Sequence, residues 1–328
     1  MQKKILITGC AGFIGSNLVD YLLKTTNRKI IGIDNFSTGL SKFIPSHERF
    51  QFSRFDIADR TNLEKLEILM SQCDTVYHLA ANADVRYGLT HPTKDIEQNI
   101  VATLNTLIAA QASGTVKYFL FSSTGSVYGE ATTFPTPETE NFPIQTSLYG
   151  TSKIAAEGLI SSFSEAYGIK SIIFRFVSIV GERYTHGHIF DFYKQMKIEK
   201  RPSLTILGDG AQNKSYLYVG DCVGGMVEIF EKTKDIPTKH NVSIYNLGSE
   251  NSITVRDSAA LIADYLNYDG FFEYTCGNKG WVGDNPIILL DTTKARKTGW
   301  RPNLTIHGGI RKTVEWLQQN EWIYDTKK

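Results

Sequence analysis

Tyr149 and Lys153 stand four residues apart in Tyr149-Gly150-Thr151-Ser152-Lys153, downstream of the hydroxyl-rich segment Ser122-Ser123-Thr124-Gly125-Ser126-Val127-Tyr128-Gly129. Residues four apart share a helix face, so an ammonium sits beside a phenol. A neighbouring cation favours the phenolate and lowers a pKa that is about 10 in water. Lowering it by about three units needs roughly 4 kcal/mol, which two close cations in a partly desolvated site can supply. The phenolate is then a usable general base. On its own a Tyr-x-x-x-Lys is more often a surface pair on a helix, so the assignment depends on what else the chain brings to the same edge of its fold.

That second constellation opens the chain. An apolar run, Ile5-Leu6-Ile7, enters Thr8-Gly9-Cys10-Ala11-Gly12-Phe13-Ile14-Gly15 and is followed by helical spacing at Leu18, Val19 and Leu22. Strand, glycine turn and helix N-terminus together make a place for a pyrophosphate. A second strand, Lys29 to Ile33, ends in Asp34, an acid at the distance past the last glycine that suits a ribose diol. Ligands of open parallel sheets lie at the carboxyl ends of the strands, where both constellations fall, so their joint occurrence favours chemistry over coincidence.

The elements that must hold these residues alternate. Strands are expected near 3–8, 29–33, 50–53, 74–78, 116–122 and 170–175. Between them Ile96, Ile100, Leu104 and Leu107 repeat at helical spacing after Pro92, and Ala155, Leu159 and Phe163 after Tyr149. The fold class is α/β, a doubly wound parallel sheet. Beyond Gly181 strands shorten, and helices are expected near 188–199, 220–231, 254–266 and 306–321, the third opened by a capping box, Thr254 to Asp257. Residues 1–180 are read as the dinucleotide-binding domain and 181–328 as a smaller α/β substrate lobe, with some chain crossover between them. The loop Phe134 to Pro143 is expected to lie over the site.

Composition narrows the function. A net charge of +1 over 328 residues gives no case for nucleic acid or an anionic membrane, and no apolar run approaches a bilayer span. Four scattered cysteines, Cys10, Cys73, Cys222 and Cys276, and an N-terminus without a signal-type apolar region point to a reducing cytoplasm without disulfides. His186 and His188 offer two imidazoles, but no Cys or acidic pair at ligand spacing joins them, so no metal is expected and both are read as loop residues. Cys10 is read as a small packed residue.

Thr8-Gly9-x-x-Gly12-Phe13-Ile14-Gly15, Asp34-Asn35, Asp56-Ile57, His78-Leu79-Ala80-Ala81, Asn99, Ser122-Ser123-Thr124, Val127-Tyr128-Gly129, Tyr149-x-x-x-Lys153, Leu207-Gly208-Asp209-Gly210 and Tyr245-Asn246-Leu247-Gly248 occur in the order found in one family. The chain resembles the extended short-chain dehydrogenase/reductases of the NAD-dependent nucleotide-sugar epimerase/dehydratase branch, over nearly its whole length. The resemblance implies a Rossmann sheet and NAD. It implies that Gly9, Gly12, Phe13 and Ile14 hold the pyrophosphate turn, that Asp34, Asn35, Ser37, Thr38 and Gly39 meet the adenosine ribose, and that Asp56 and Ile57 meet the adenine. Leu79, Ala80 and Ala81 would line the crossing of the cofactor, with Asn99, Ser122 and Phe176 also on its side. Thr124 would bind the sugar 4-hydroxyl, Tyr149 would be the base and Lys153 its partner, and the reaction would pass through a transient 4-keto sugar and NADH.

The departures from the family pattern select a branch. A 4,6-dehydratase carries Asp-Glu after Thr124, and a uronate decarboxylase carries Glu at the second position; this chain has Gly125-Ser126. Epimerisation at carbon 4 of a UDP-hexose of the glucose/galactose type is therefore expected, with a UDP-uronate 4-epimerase, a 4-reductase or dehydrogenase, and lastly a non-catalytic NAD-binding sensor as alternatives. Ser178 stands where such epimerases usually have Asn, Lys214 where they have Arg, and a second arginine near Trp281-Val282-Gly283-Asp284 is absent, leaving Lys279 as the nearest cation. Asp84-Val85-Arg86-Tyr87 resembles the uronate 4-epimerases and offers Arg86 to a carboxylate. The substrate contacts implied are thus Arg86, Thr124, Ser178, Lys214 and Lys279. A homodimer is expected through the 92–113 and 149–167 helices.

Overall fold

The structure, a computed structural model, describes residues 3–140, 144–281 and 283–327. In chain order its first strands are β1 (Lys4–Thr8), β2 (Ile30–Asp34), β3 (Phe50–Arg54), β4 (Cys73–His78), β5 (Tyr118–Thr124) and β6 (Lys170–Phe176). They are followed by β7 (Ser178–Val180), β8 (Ser203–Ile206), β9 (Asn213–Lys214), β10 (Tyr216–Tyr218), β11 (Val242–Leu247), β12 (Ile253–Thr254), β13 (Phe271–Tyr274) and β14 (Ile287–Ile288). The frame is a parallel seven-stranded sheet in the order β11-β6-β5-β4-β1-β2-β3. The order reverses between β1 and β4, which opens a crevice at their carboxyl ends.

The helices are α1 (Phe13–Thr25), α2 (Leu63–Met70), α3 (Tyr87–Thr90), α4 (Pro92–Asp95), α5 (Ala102–Ser113), α6 (Leu148–Tyr167), α7 (His188–Tyr193), α8 (Val219–Thr233), α9 (Val255–Leu266), α10 (Thr293–Lys297) and α11 (Ile306–Gln319). Strand alternation sorts the core. Ile5 and Ile7 join Leu18, Leu22, Val223 and Met226 on the α1 and α8 face, whereas Leu6 joins Ile31, Leu66, Leu107 and Ile160 on the opposite face. A third cluster, with Tyr193, Leu204, Ile262, Ile310 and Leu317, forms the smaller lobe. That lobe carries three small sheets, β10-β7, β12-β9-β14 and β13-β8. Although β11 and α8 follow residue 180, β11 extends the large sheet and α8 packs on the α1 side, so the chain crosses between lobes.

The expected strands fall within a few residues of the observed ones, but the expected continuous helix over 92–113 is corrected. It consists of α4, a π turn over Ile96–Val101, and α5. The wider turn rotates Asp95 and Asn99 inward, 1% exposed each, and leaves Ile96 52% exposed. Of the apolar stripe read from spacing, Ile96, Ile100 and Leu104 lie on the outer face and only Leu107 is in the core, while Asp95, Asn99, Ala102, Thr103 and Thr106 face inward. α6 repeats this: Ser152, Lys153, Ala156, Glu157 and Ile160 are buried, and Ala155, Leu159 and Phe163 lie at its half-buried flank.

Candidate active site

At the carboxyl end of β1, Gly9 adopts φ +72°, and a Cβ on it would lie 2.7 Å from the amide nitrogen of Ala80. A Cβ on Gly15 would fall 2.0 Å from the Gly9 carbonyl, so the first turn of α1 can close on β1 only without side chains there. α1 opens at Gly12 with no side-chain cap and no acid in its first turn, leaving its amides to an anion. Phe13 starts the helix, edge-on to Tyr184 at 5.6 Å, and Ile14 follows half-buried. Asp34 accepts the amides of Ala11 at 2.9 Å and Phe36 at 2.8 Å. Burial pushes its carboxyl up, and the amides of Phe36 and Ala11 pull it back. Each oxygen keeps a lone pair for a ribose hydroxyl.

The neighbouring loop is built around that carboxylate. Gly39 is packed against Ala11 and Asp34, whereas Ser37 and Thr38 are exposed beside it, the Ser37 amide donating to Asn35. The Asn35 amide group donates to Asp56 at 3.0 Å, Asp56 also accepts the Ala58 amide at 2.8 Å, and the Ile57 carbonyl accepts from Asn105 at 2.9 Å. Leu79 and Ala80, with Ala81 next, leave β4 with their first two amides directed at the Thr8 hydroxyl. His78 between Thr8 and Thr103 is buried, and burial pushes its imidazole down to about 3. A glycine cradle, an open helix end and a carboxylate on a short loop fit a dinucleotide in the order that the sequence implied.

The chemical residues meet at the ends of β5 and α6. Ser147 caps α6, its hydroxyl accepting the Gly150 amide at 3.0 Å. A Cβ on Gly150 would lie 2.8 Å from the Ser126 carbonyl, so this glycine lets the helix approach the turn after β5. Thr124 accepts the Ser126 amide at 3.1 Å and donates to the Ser126 hydroxyl at 3.2 Å. Burial pushes the Tyr149 phenol up to about 12; the neighbouring Thr124 hydroxyl opposes this and the charge of Asp95 adds to it.

Lys153 is buried one turn further along α6. Its ammonium donates to the Ser122 carbonyl at 2.9 Å and lies 4.7 Å from the centre of the Phe121 ring. Burial pulls it down to about 7, against Glu157 and Asp95. The main-chain carbonyl of Ser122 thus fixes the Lys153 ammonium at the end of β5. Phe176 ends β6 beside Thr124 in register. Asn99 accepts the Asn82 amide at 2.9 Å and donates to the Ser152 hydroxyl at 2.8 Å.

Substrate-side residues do not all converge. Ser178 is exposed at the start of β7, opposite Tyr216. Lys214, expected at a diphosphate, forms a buried ion pair with Asp284 at 2.8 Å and donates to the Asn285 carbonyl. The Asp284 position therefore holds a carboxylate that consumes this cation. Lys279 pairs with Glu130 across the cleft. Arg86, half-exposed, lies 3.8 Å from Asp84 and 3.6 Å from Asp191 of α7. His186 stacks on Tyr184 in a loop, but His188 opens α7, bonding Ser258 at 2.8 Å and packing on Tyr216. Among the described residues no cluster of His, Cys, Asp and Glu is arranged for a metal. Asn141, Phe142, Pro143 and Val282, from the loops expected around the site, lie outside the described residues.

Sequence reasoning passed over Asp95, Asn82, Ser152 and the Glu157–Arg175 pair, whose bonds of 3.0 and 2.6 Å are buried behind Lys153. The signal was present: Tyr149, Lys153 and Glu157 form a polar stripe at spacing four, on the face where a core-facing helix should be apolar.

Comparison with known proteins agrees with this geometry. The description "NAD dependent epimerase/dehydratase family" matches residues 5–248. The UDP-glucose 4-epimerase of Thermotoga maritima, solved with UDP-glucose, is 32% identical with a TM-score of 0.85, covering 97% of this chain and 99% of its own. The UDP-glucuronic acid 4-epimerase of Bacillus cereus, solved with UDP-glucuronic acid and NAD, is 29% identical with a TM-score of 0.85, over 96% and 99%. UDP-glucuronic acid decarboxylase 1 of Arabidopsis thaliana is 30% identical, over 95% of this chain and 69% of that protein. The chain belongs to the NAD-dependent epimerase/dehydratase family, and NAD is its cofactor.

Proposed function

We propose that the protein is a nucleotide-sugar 4-epimerase acting on a neutral UDP-hexose of the glucose/galactose type. The observation that carries this reading is the buried Tyr149 phenol under the influence of the Thr124 hydroxyl at the end of β5, followed by Gly125-Ser126 with no carboxyl group. Tyr149 takes the proton of the sugar 4-hydroxyl, giving a bound 4-ketose, and returns it to the oxygen after the sugar has turned over. Bound NAD supplies the hydride acceptor for the outward step and the donor for the return. Removing water from carbons 4 to 6, or carbon dioxide from a uronate, needs a further acid or base beside Thr124, and Ser126 is occupied with the Thr124 hydroxyl.

The cofactor residues are assigned as in the sequence: the glycine turn for the pyrophosphate, Asp34 for the ribose, Asp56 with Ile57 for the adenine, and Lys153 for the nicotinamide side. Arg86 is the handle on the sugar. Because Asp84 and Asp191 already lie within 4 Å of it, Arg86 is paired within the chain, which favours the neutral hexose. Lys214 acts through the Asp284 loop, not as a free diphosphate contact. The half-buried apolar flank of α6 and the exposed Ile96 support a homodimer, and three buried free thiols, Cys10, Cys73 and Cys222, favour a reducing cytoplasm.

The test is incubation with UDP-glucose, UDP-galactose, UDP-glucuronic acid and UDP-N-acetylglucosamine, with products identified by NMR. Inversion at carbon 4 of the neutral hexoses is expected. Turnover of UDP-glucuronic acid alone would replace this reading with the uronate epimerase, and in that case Arg86→Ala should cost the acidic sugar roughly 2–5 kcal/mol.

A further inference from the structure

One buried carboxyl is unused by the chemistry above. Asp95 closes α4 just before the π turn and is 1% exposed. Its Oδ1 accepts from the Asn82 side chain at 2.8 Å and the Asn99 side chain at 3.5 Å, both neutral amides. Its Oδ2 has no hydrogen-bond partner. A Cβ on Gly88 would lie 2.3 Å from that oxygen and 3.5 Å from Leu148, so Oδ2 faces the seam between α3 and the first turn of α6, where Tyr149 follows. The same Asn99 amide that reaches Asp95 donates to Ser152, the residue before Lys153. π turns recur where a helix presents functional side chains.

The charges around Lys153 are otherwise spoken for. Glu157 is held by both nitrogens of Arg175 and by the Ser123 hydroxyl at 2.5 Å. The Lys153 ammonium itself donates to a carbonyl and touches no carboxylate. Lys94 and Glu97, on either side of Asp95 in sequence, pair with one another at 2.9 Å. Among the described residues the ionisable groups facing Asp95 are Lys153 and Tyr149 from α6 and Asp84 from the loop before α3; burial raises the Asp95 carboxyl, and the Asn82 hydrogen bond and the Lys153 charge oppose this.

Resting on the catalytic reading above, we propose that Asp95 is a positioning residue that, across Asn99 and Ser152, adds a second negative charge to that of Glu157 in keeping Lys153 an ammonium and sets the pH at which Tyr149 works. A carboxylate at this place favours the protonated form of both neighbours. It raises Lys153 against the downward pull of burial, and it raises Tyr149 in the same direction as burial. Its removal should therefore move both titrations to lower pH.

Asp95→Asn is nearly isosteric and keeps an oxygen for Asn82 and Asn99, so the fold is expected to survive; thermal unfolding and NAD binding check this. Two readouts are taken: kcat/KM against pH, and the titration of the Tyr149 phenol by near-ultraviolet difference against Tyr149→Phe, both with NAD bound. The expected result is a displacement of both limbs of the profile, and of the phenol titration, by about one pH unit toward acid. Asp84→Asn, an exposed carboxylate outside the network, should move them less. A uniform loss of activity with unmoved limbs and an unmoved phenol titration would overturn the proposal and make Asp95 merely structural. If no nucleotide sugar is turned over, the catalytic reading fails, and the phenol titration alone still decides whether Asp95 acts on Tyr149.

Discussion

Tyr149 carries the central burden. Burial holds its phenol up to about 12 even with the Thr124 hydroxyl opposing, so the stabilisation of a phenolate at neutral pH must come from the Lys153 ammonium and the cationic ring of bound NAD. Tyr149→Phe removes the base without removing volume. Its turnover should fall about 10²–10⁴-fold while NAD affinity, measured by fluorescence titration, stays near wild type. Lys214 belongs to the opposite class. Both members of its pair with Asp284 are buried, so Lys214→Met leaves a carboxylate without its cation and should destabilise the fold by about 3–5 kcal/mol in urea unfolding. Unchanged stability would mean that the ammonium is free for substrate. The sequence singled out Tyr149, Lys153 and Lys214 by type and spacing, but a partner far along the chain, such as Asp284 for Lys214, has no local signature.

At the level of elements, central strands such as β1, β2, β5 and β6 were legible because parallel strands buried on both faces appear as short continuous apolar runs, as in Ile30-Ile31-Gly32-Ile33, whereas the edge strand β3 alternates, as Phe50-Gln51-Phe52 does. The helices of the small lobe were legible through their caps: the Thr254 hydroxyl accepts the Asp257 amide at 3.0 Å, as the capping box required. The π turn was not legible. Its extra residue shifts the face that looks inward, and no residue type marks it, so Ile96, Ile100 and Leu104 read as core when the inward positions are Asp95, Asn99 and Thr103. Polar side chains share the inner face of α5 and α6 with Leu107, Ala156 and Ile160, while Ile96, Leu104 and Leu159 lie on the outer side, the face proposed for a second copy. Ile96→Glu with Leu159→Glu should accordingly turn a dimer into a monomer in sedimentation equilibrium, with the secondary structure retained; a wild type that is monomeric at all concentrations would contradict the helix-face interface.

For the molecule as a whole, the two lobes share histidines that burial keeps neutral: His78 under the cofactor turn and His188 under the substrate side are each pushed down to about 3. Since the unfolded chain takes up these protons near pH 6.5, stability is full above that value and is lost as pH falls toward 3, by up to roughly 4 kcal/mol per histidine. Urea midpoints between pH 7 and 4 should fall, and more shallowly in His78→Gln, whose side chain does not titrate. The account rests in the end on a hydride that leaves carbon 4 and comes back to it within one site. The direct measurement uses a UDP-hexose deuterated at carbon 4, with NMR of the product and absorbance of the cofactor. The epimer should appear with deuterium retained at carbon 4 and no net reduction of NAD, whereas label lost to solvent, or a stoichiometric build-up of reduced cofactor with a released ketose, would contradict it.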